Sequence, residues 1–365
     1  MILKNIHLGN FRNYESLDLE FHPKLNVFIG RNAQGKTNLL ESIYFLALAK
    51  SHRTAKDKEL IRFKQEEAFV NGSIRTAYSD LPLSISVSSK GKRAKVNHME
   101  VARLSQYIGH LNVVLFAPED LNIVKGSPQV RRKFINMECG QISKVYLNML
   151  SGYQKVLVQK NNYLKQRNVD QVMIDVLNAQ LAEYASLIIL KRQQFIRTIE
   201  KYASRIHGDI SNGNESLAVR YRPNIKFESE DEKSLELEIK SLLDDTLEKE
   251  IERGQALTGP HRDDISFYIN DFDVQTYGSQ GQQRTTALSV KLAELELIHE
   301  EIGEYPVLLL DDVLSELDET RQSHLLTSIR NRVQTFVTTT SISDINHTIM
   351  DEMQSFSIDD GKVKV

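Results

Sequence analysis

The sequence predicts an α/β fold, a mixed sheet with helices, interrupted by an inserted α-helical lobe. Three observations predict it. The apolar run LNVFIG at 25–30 leads through GRNAQGKT into TNLLESIYFLALA at 37–49, where Leu40, Tyr44 and Leu48 recur at helical spacing. In YPVLLLDD an apolar run ends in two acids, as a buried strand does at its carboxyl edge. Between these segments, residues 143–207 change to two long helical runs separated by the polar NVDQ.

Taken in order, MILKNIHLGNFRN alternates like a strand and has no secretory apolar region. Residues 1–50 read strand, turn, strand, loop, helix. From about 68 to 116 the segments AFVNGSIR, LPLSISVSSKGKRAKVN and LNVVLFA carry alternation, Gly breaks and β-branched residues. The two helical runs predict an antiparallel pair on the order of 40 Å long, at a rise of about 1.5 Å per residue. EKSLELEIKSLLDDTLEKEIERG reads as one further helix stopped at Gly254. Strands are expected around ISFYINDFDVQTY, in YPVLLLDD, and in QTFVTTTS and SFSIDDGKVKV. The expected division is a head over 1–140, an inserted helical lobe over 141–255, and the second part of the head over 256–365.

Composition bounds the class. With 41% apolar and 26% charged residues in 365, the chain is globular. Its single cysteine, Cys139, excludes an internal disulfide and a thiolate metal cluster, suits a reducing cytosol, and reads as packed. YFLALA and SLIIL are core-sized, so a cytoplasmic protein without a membrane segment is expected. A net charge of −3 argues neither for nor against nucleic acid; DNA binding would need lysines and arginines gathered locally.

GRNAQGKT fits G-x-x-x-x-G-K-[ST], the phosphate-binding loop, with a strand before it and a helix after it. Gly30 and Gly35 let the backbone of Arg31, Asn32, Ala33 and Gln34 turn its N–H groups inward. Lys36 places a charge on the β- and γ-phosphates, the Thr37 hydroxyl ligates Mg²⁺, and the helix that carries Thr37 and Asn38 adds its positive end. ATP and Mg²⁺ are the expected cofactors. VLLLDDVLSELD at 307–318 supplies the partner: Asp311 to hold the metal, Asp312 to orient or deprotonate the attacking water. Lys36 and Asp312 are the catalytic candidates.

YGSQGQQR at 277–284 has no aliphatic side chain and heads the patterned helix TTALSVKLAELELIHEE. This Ser-x-Gly-Gln element resembles the signature motif of ATP-binding-cassette (ABC) ATPases. The resemblance implies that Ser279, Gln280, Gly281 and Gln282 cap the γ-phosphate held by a second subunit. SELD at 315–318, with Ser315 and Asp318, resembles the D-loop. NFRNY, NAQGKTN, AKSHRT, FAPEDLNIVKGSPQVRRKF, GPHRDD, YGSQGQQRTTALSVKLAE and FVTTTS together resemble the RecF family of bacterial recombination-mediator ATPases, related to SMC and Rad50. The resemblance runs from end to end. It implies an ABC-type head, an ATP-dependent homodimer, and DNA binding in replication, recombinational repair and the SOS response. It also implies help in loading recombinase at gaps, and RecR and RecO as partners. Arg12 would lie beside the nucleotide and Thr339 would stand at the switch-histidine position. FAPED lacks the Q-loop glutamine, with Pro118 or Glu119 in its place. An aspartate at 312 reaches less far than glutamate, and threonine cannot act as a protonatable switch; both departures suit a slow timer, and the resemblance implies a weak, DNA-stimulated ATPase acting mainly as a switch.

Lys36 and Ser279 stand 243 positions apart (279 minus 36), more than a transporter cassette needs, yet the insertion is too short for the heptad-patterned arms of a tether. A transporter's nucleotide-binding subunit and an SMC-like structural tether are therefore the weaker alternatives. SSKGKRAKVNH at 88–98, with Lys90, Lys92, Arg93 and Lys95, and QVRRKF, with Arg131, Arg132 and Lys133, are candidate phosphate contacts without base readout. An ordinary solvated face is the alternative for each. His261 and Arg262 in GPHRDD read equally as a site or as a buried polar turn.

Overall fold

The computed structural model describes residues 1–77, 79–166, 169–227, 231–330, 332–340 and 353–364; Asn168 of NVDQ, Ser341 of FVTTTS and Val365 lie outside the described residues. The strands are β1 (Ile2–Phe11), β2 (Tyr14–Glu20), β3 (Leu25–Ile29), β4 (Glu67–Arg75), β5 (Asp80–Ser88), β6 (Gly91–Val96), β7 (Met99–Glu100), β8 (Val113–Phe116), β9 (Leu217–Arg222), β10 (Asp264–Ile269), β11 (Phe272–Asp273), β12 (Val307–Asp311), β13 (Thr335–Thr339), β14 (Met353–Asp359) and β15 (Lys362–Lys364). The helices are α1 (Lys36–Leu48), α2 (Leu104–Tyr107), α3 (Leu121–Lys125), α4 (Pro128–Ile142), α5 (Lys144–Tyr163), α6 (Gln171–Ile210), α7 (Glu232–Asp245), α8 (Leu247–Arg253), α9 (Val274–Tyr277), α10 (Gln280–Ile302) and α11 (Glu319–Ile329).

The chain divides into two compact units, Met1–Asp120 with Lys291–Val365, and Leu121–Val290. The expected boundaries at 140 and 255 therefore move. The reason is pairing: β9, which sequence reading passed over, zips antiparallel to β10 from Leu217↔Ile269 to Arg222↔Asp264, so segments on both sides of 255 share one sheet. Helix α4 likewise packs on α5, α6 and β10.

In the first unit an antiparallel sheet runs β2-β1-β4-β5-β6-β7, and a second sheet runs β15-β14-β3-β13-β12-β8, parallel except at β15. Helix α1 touches β1, β4 and β5 of the first and β8, β12 and β13 of the second. The sequence shows one apolar stripe. The helix is buried almost all round, because a sheet covers each side, and even Glu41 is fully inaccessible.

In the second unit α5 and α6 run antiparallel: Arg192 Nε donates to Tyr146 Oη at 3.1 Å, a Cβ on Gly152 would meet the Tyr184 ring at 2.6 Å, and Asp170 N donates to Tyr163 Oη at 2.9 Å. At 40 residues α6 is about 60 Å long, beyond the expected pair length. It is long and apolar enough to cross a membrane, but half of that stretch is buried here. The run 232–254 is two helices, not one. Thr246 donates its hydroxyl to the Leu242 carbonyl at 2.9 Å at the end of α7, and α8 runs on to Gly254, in the left-handed region at φ 63°. VQTY, expected as strand, forms α9, capped by Asp273, whose carboxylate accepts from Thr276 N.

Candidate nucleotide-binding site

The loop 30–37 connects β3 to α1 at the carboxyl edge of the parallel sheet. Gly35 caps α1 at φ 116°; a Cβ there would strike Asn13 Nδ2 at 2.6 Å and Tyr14 Oη at 3.0 Å. The buried Tyr14 phenol, pushed up by burial, keeps its proton and donates to the Gly35 carbonyl at 3.0 Å. Lys36 is 4% exposed, and its Nζ donates to the carbonyls of Gly30 at 2.8 Å and Arg31 at 3.2 Å, so the loop wraps its own cation. Arg31, Asn32 and Ala33 are exposed, with Ala33 at φ 66°. Asn38 donates to Asn13 Oδ1 at 2.8 Å and accepts from Arg53 at 2.8 Å. The far end of the chain closes the loop. Gln34 accepts from Asp360 N at 2.6 Å and Gly361 N at 3.1 Å, and a Cβ on Gly30 would lie 2.3 Å from the Ile358 carbonyl.

Asp311 ends β12. Its Oδ1 accepts from the Thr37 hydroxyl at 3.0 Å and from Thr338 at 2.9 Å. Burial raises its carboxyl above the ordinary range, while these two hydroxyls and the distant Arg53 pull it back. Asp312 adopts φ 52° and donates its N–H to Thr338 Oγ1 at 2.8 Å, whose proton also reaches Asp312 Oδ1 at 3.3 Å. Sequence reading singled out Thr339 for the switch position and passed over Thr338. Thr338 turns its hydroxyl to both acids; the neighbouring Thr339 is buried, and its carbonyl accepts from Gly30 N at 3.4 Å. Alternation along β13 puts the two threonines on opposite faces, and the register decides which face meets the acids. Ser315 donates to the Asp312 carbonyl at 2.8 Å, and Asp318 caps α11 by accepting from Arg321 N at 3.0 Å.

Arg12, at φ 53°, makes a bidentate pair with Glu41 of α1 at 2.8 and 2.7 Å, and donates to the Glu59 carbonyl at 2.7 Å. Burial alone would raise the Glu41 carboxyl. Bonds from Arg12 and Ser51 and the Arg12 charge outweigh it and hold the group below the ordinary range. His52 packs edge-on against Tyr44 at 5.2 Å, and burial pushes it down to about 4.

The Ser279 stretch belongs to the second unit and heads α10. It forms a reciprocal capping box: Gln282 N donates to Ser279 Oγ at 3.2 Å, and Ser279 N donates to Gln282 Oε1 at 2.8 Å. Ser279 and Gln280 are exposed; Gly281 and Gln282 are half-buried. FAPED closes β8, where Asp120 accepts from Ala117 N at 2.8 Å; Pro118 and Glu119 lie in the same short turn.

The basic candidates separate. Lys92 lies on the covered face of the hairpin, donating to Asp57 at 2.8 Å and the Ala49 carbonyl at 2.9 Å. Arg131 is 3% exposed and paired with both oxygens of Asp264 at 2.6 and 3.0 Å, and Arg132 donates to the Asp263 carbonyl at 2.7 Å. Lys92 and Arg131 are committed to the fold, correcting their reading as phosphate contacts, while Arg132 is half-buried. Lys90, Arg93, Lys95 and Lys133 are exposed. GPHRDD forms a polar turn with Arg262 exposed. His261 Nδ1 accepts from Tyr153 Oη at 2.6 Å, Nε2 meets the Ala256 carbonyl at 3.3 Å, and Arg262 also donates to that carbonyl at 3.1 Å. Gly259 sits at φ 135°, where a Cβ would strike Tyr153 Oη at 2.2 Å. Asp263 pairs with the buried Arg192 at 2.8 Å.

A phosphate loop at the carboxyl edge of this parallel sheet, with an acid pair ending a strand two places away, has the architecture of an ABC-type ATPase head. Comparison narrows this. The family described as RecF/RecN/SMC N terminal domain matches residues 2–363. The DNA replication and repair protein RecF of Staphylococcus carnosus (strain TM300) is 60% identical over 368 residues, covering 100% of both chains. A solved structure of the recombination mediator protein RecF-ATP in the RecFOR pathway superposes at TM-score 0.92 with 36% identity, over 100% of this chain and 97% of that one. An Smc head bound to the C-winged helix domain of ScpA shares the fold at TM-score 0.56 and 15% identity, covering 100% and 97%. The chain belongs to the RecF family of DNA replication and repair proteins.

Proposed function

We propose that the chain is an ATP-driven switch that binds DNA during replication and recombinational repair. The observation that carries the reading is the Thr37–Asp311 pair at 3.0 Å beside a buried Lys36. Two oxygen donors of the kind a hard cation takes converge at the mouth of a glycine-turned loop, and this donor set fits ATP with Mg²⁺. Bound ATP supplies the anhydride whose γ-phosphoryl passes to water. The chain's own residues do the rest. Loop N–H groups and Lys36 hold the triphosphate, Thr37 and Asp311 hold the cation, and Asp312 orients the water with Thr338 fixing its carboxylate. A second copy brings Ser279 and the head of α10 to the γ-phosphate, so nucleotide binding and dimerisation become one event. Arg93, Lys95 and Lys90 contact DNA phosphates. The aspartate at 312 keeps turnover slow, and DNA stimulates it. RecO and RecR fit as partners because the solved relative is placed in the RecFOR pathway.

Lys36→Ala tests the reading. It removes the loop's own cation, so ATP binding measured by calorimetry should vanish, and ATP-dependent dimerisation with it. Normal hydrolysis by that variant would sink the assignment.

A further inference from the structure

Glu215 lies between α6 and β9, in a segment with no part in the motifs above. The next residue is pinned: Ser216 N donates to Asn270 Oδ1 at 2.9 Å, and Asn270 N donates back to the Ser216 carbonyl at 3.0 Å. The Glu215 side chain is 24% exposed and bridges two groups. Oε1 accepts from Gln282 Nε2 at 2.9 Å, and Oε2 meets His207 Nε2 at 2.9 Å. His207 is fully buried in the last turn of α6, and its Nδ1 lies 3.4 Å from the buried Ser289 hydroxyl of α10.

The chemistry of Gln282 makes the first contact decisive. A carboxylate only accepts, so Glu215 compels Gln282 to present its NH₂ there. That leaves Gln282 Oε1 facing the Ser279 N–H, the orientation the capping box requires. With the amide reversed, two donors would face each other at Ser279 and two acceptors at Glu215. The box in turn sets the serine. Its Oγ already accepts from Gln282 N, so its own hydroxyl proton is left to donate outward, as a phosphate oxygen needs.

We propose that Glu215 is a positioning residue for the signature: through the Gln282 amide it fixes the Ser279 hydroxyl as a donor, and through His207 it anchors that arrangement to the end of α6. The proposal rests on the reading that Ser279 meets the partner subunit's triphosphate. Glu215 touches no phosphate itself.

The experiment compares the full-length chain with Glu215→Ala, Glu215→Gln, Gln282→Ala, the double Ala variant and Ser279→Arg. MgATP binding to the monomer is read by calorimetry and ATP-dependent dimerisation by sedimentation. Glu215→Ala should bind MgATP as the unaltered chain does and dimerise about tenfold more weakly or worse, the scale of one hydrogen bond to a charged group. Glu215→Gln keeps an oxygen for Gln282 and a nitrogen for the His207 ring, so it should dimerise nearly normally. The double variant should be no weaker than either single one. Dimerisation of Glu215→Ala at the normal strength, additive losses in the double variant, or equal losses in Glu215→Gln and Glu215→Ala would each overturn the inference. Should Glu215→Ala fail to fold, Gln282→Ala and Glu215→Gln still decide it. Ser279→Arg separates the two layers: if it dimerises normally, the reading of the signature fails, and if only it fails, Glu215 alone is misassigned.

Discussion

Asp312 combines a proposed role in hydrolysis with a left-handed backbone at φ 52°, held by its N–H bond to Thr338. Aspartate and asparagine tolerate that region better than most side chains. Asp312→Asn therefore removes the carboxylate while sparing the backbone. ATP should still bind, hydrolysis should fall by a factor on the order of 100 or more, and the ATP-bound dimer should persist; an unchanged single-turnover rate would assign the water to another residue. His261 gives a prediction about pH. Its two ring nitrogens are matched as one acceptor and one donor, which requires a neutral ring, and burial pushes it down to about 4. An unfolded histidine takes up its proton near pH 6.5. Above that value both states are neutral and the contribution is whole. As pH falls toward 4 the unfolded chain gains the proton first, and stability is lost by up to about 1.4 kcal/mol per pH unit. Thermal melts between pH 7 and 5 should show this, and His261→Gln should flatten part of the slope; an identical slope would place the acid sensitivity elsewhere, with His52 the next candidate.

At the level of elements, the β5–β6 hairpin shows why strand parity matters. Ala94 is buried and Lys92 shares its face, so Arg93 and Lys95, opposite Ser86 and Ser84, point to the other side. Neutralising Arg93 and Lys95 to serine should flatten the dependence of log affinity on log salt by about 1.4 for single-stranded and about 1.8 for duplex DNA. Lys92→Ser should leave the slope alone and weaken the packing against Asp57. The reverse pattern, read by fluorescence anisotropy across a salt series, would return Arg93 and Lys95 to an ordinary solvated face. The same hairpin marks how far sequence reading reached. Its strands were legible from alternation and glycine breaks, as the phosphate loop was from fixed local spacing. The partners of Lys92 and Arg131 were not, because Asp57 and Asp264 are remote in sequence and are brought near only by folding. β9 escaped because LAVRYR is short and charged, and α7 and α8 read as one helix because Thr246 interrupts no apolar period. Thr338 was missed for a smaller reason: between neighbours on a strand, only the register says which one faces the acids.

For the whole molecule, the proposed sharing of a site between copies makes a prediction that no single chain can satisfy. Ser279→Arg keeps its own phosphate loop and Lys36→Ala keeps its own signature, so each alone should fail to form a productive dimer. Mixed, they assemble one sound composite site opposite a doubly broken one. Partial recovery of ATP-dependent dimerisation or hydrolysis is expected, and none would mean that each chain serves only itself. The bonds from Asp360 and Gly361 to Gln34 carry a further consequence, one of timing. Partners 326 positions apart hold the nucleotide loop in shape. While the chain is being made, the loop leaves the ribosome long before its clasp does. A nascent or prematurely stopped chain would carry every residue of GRNAQGKT without the strand that braces it, and would respond poorly to ATP until residues 358–361 arrive. A chain ended before residue 358 should therefore bind ATP more weakly than one translated past residue 361, a difference calorimetry would read.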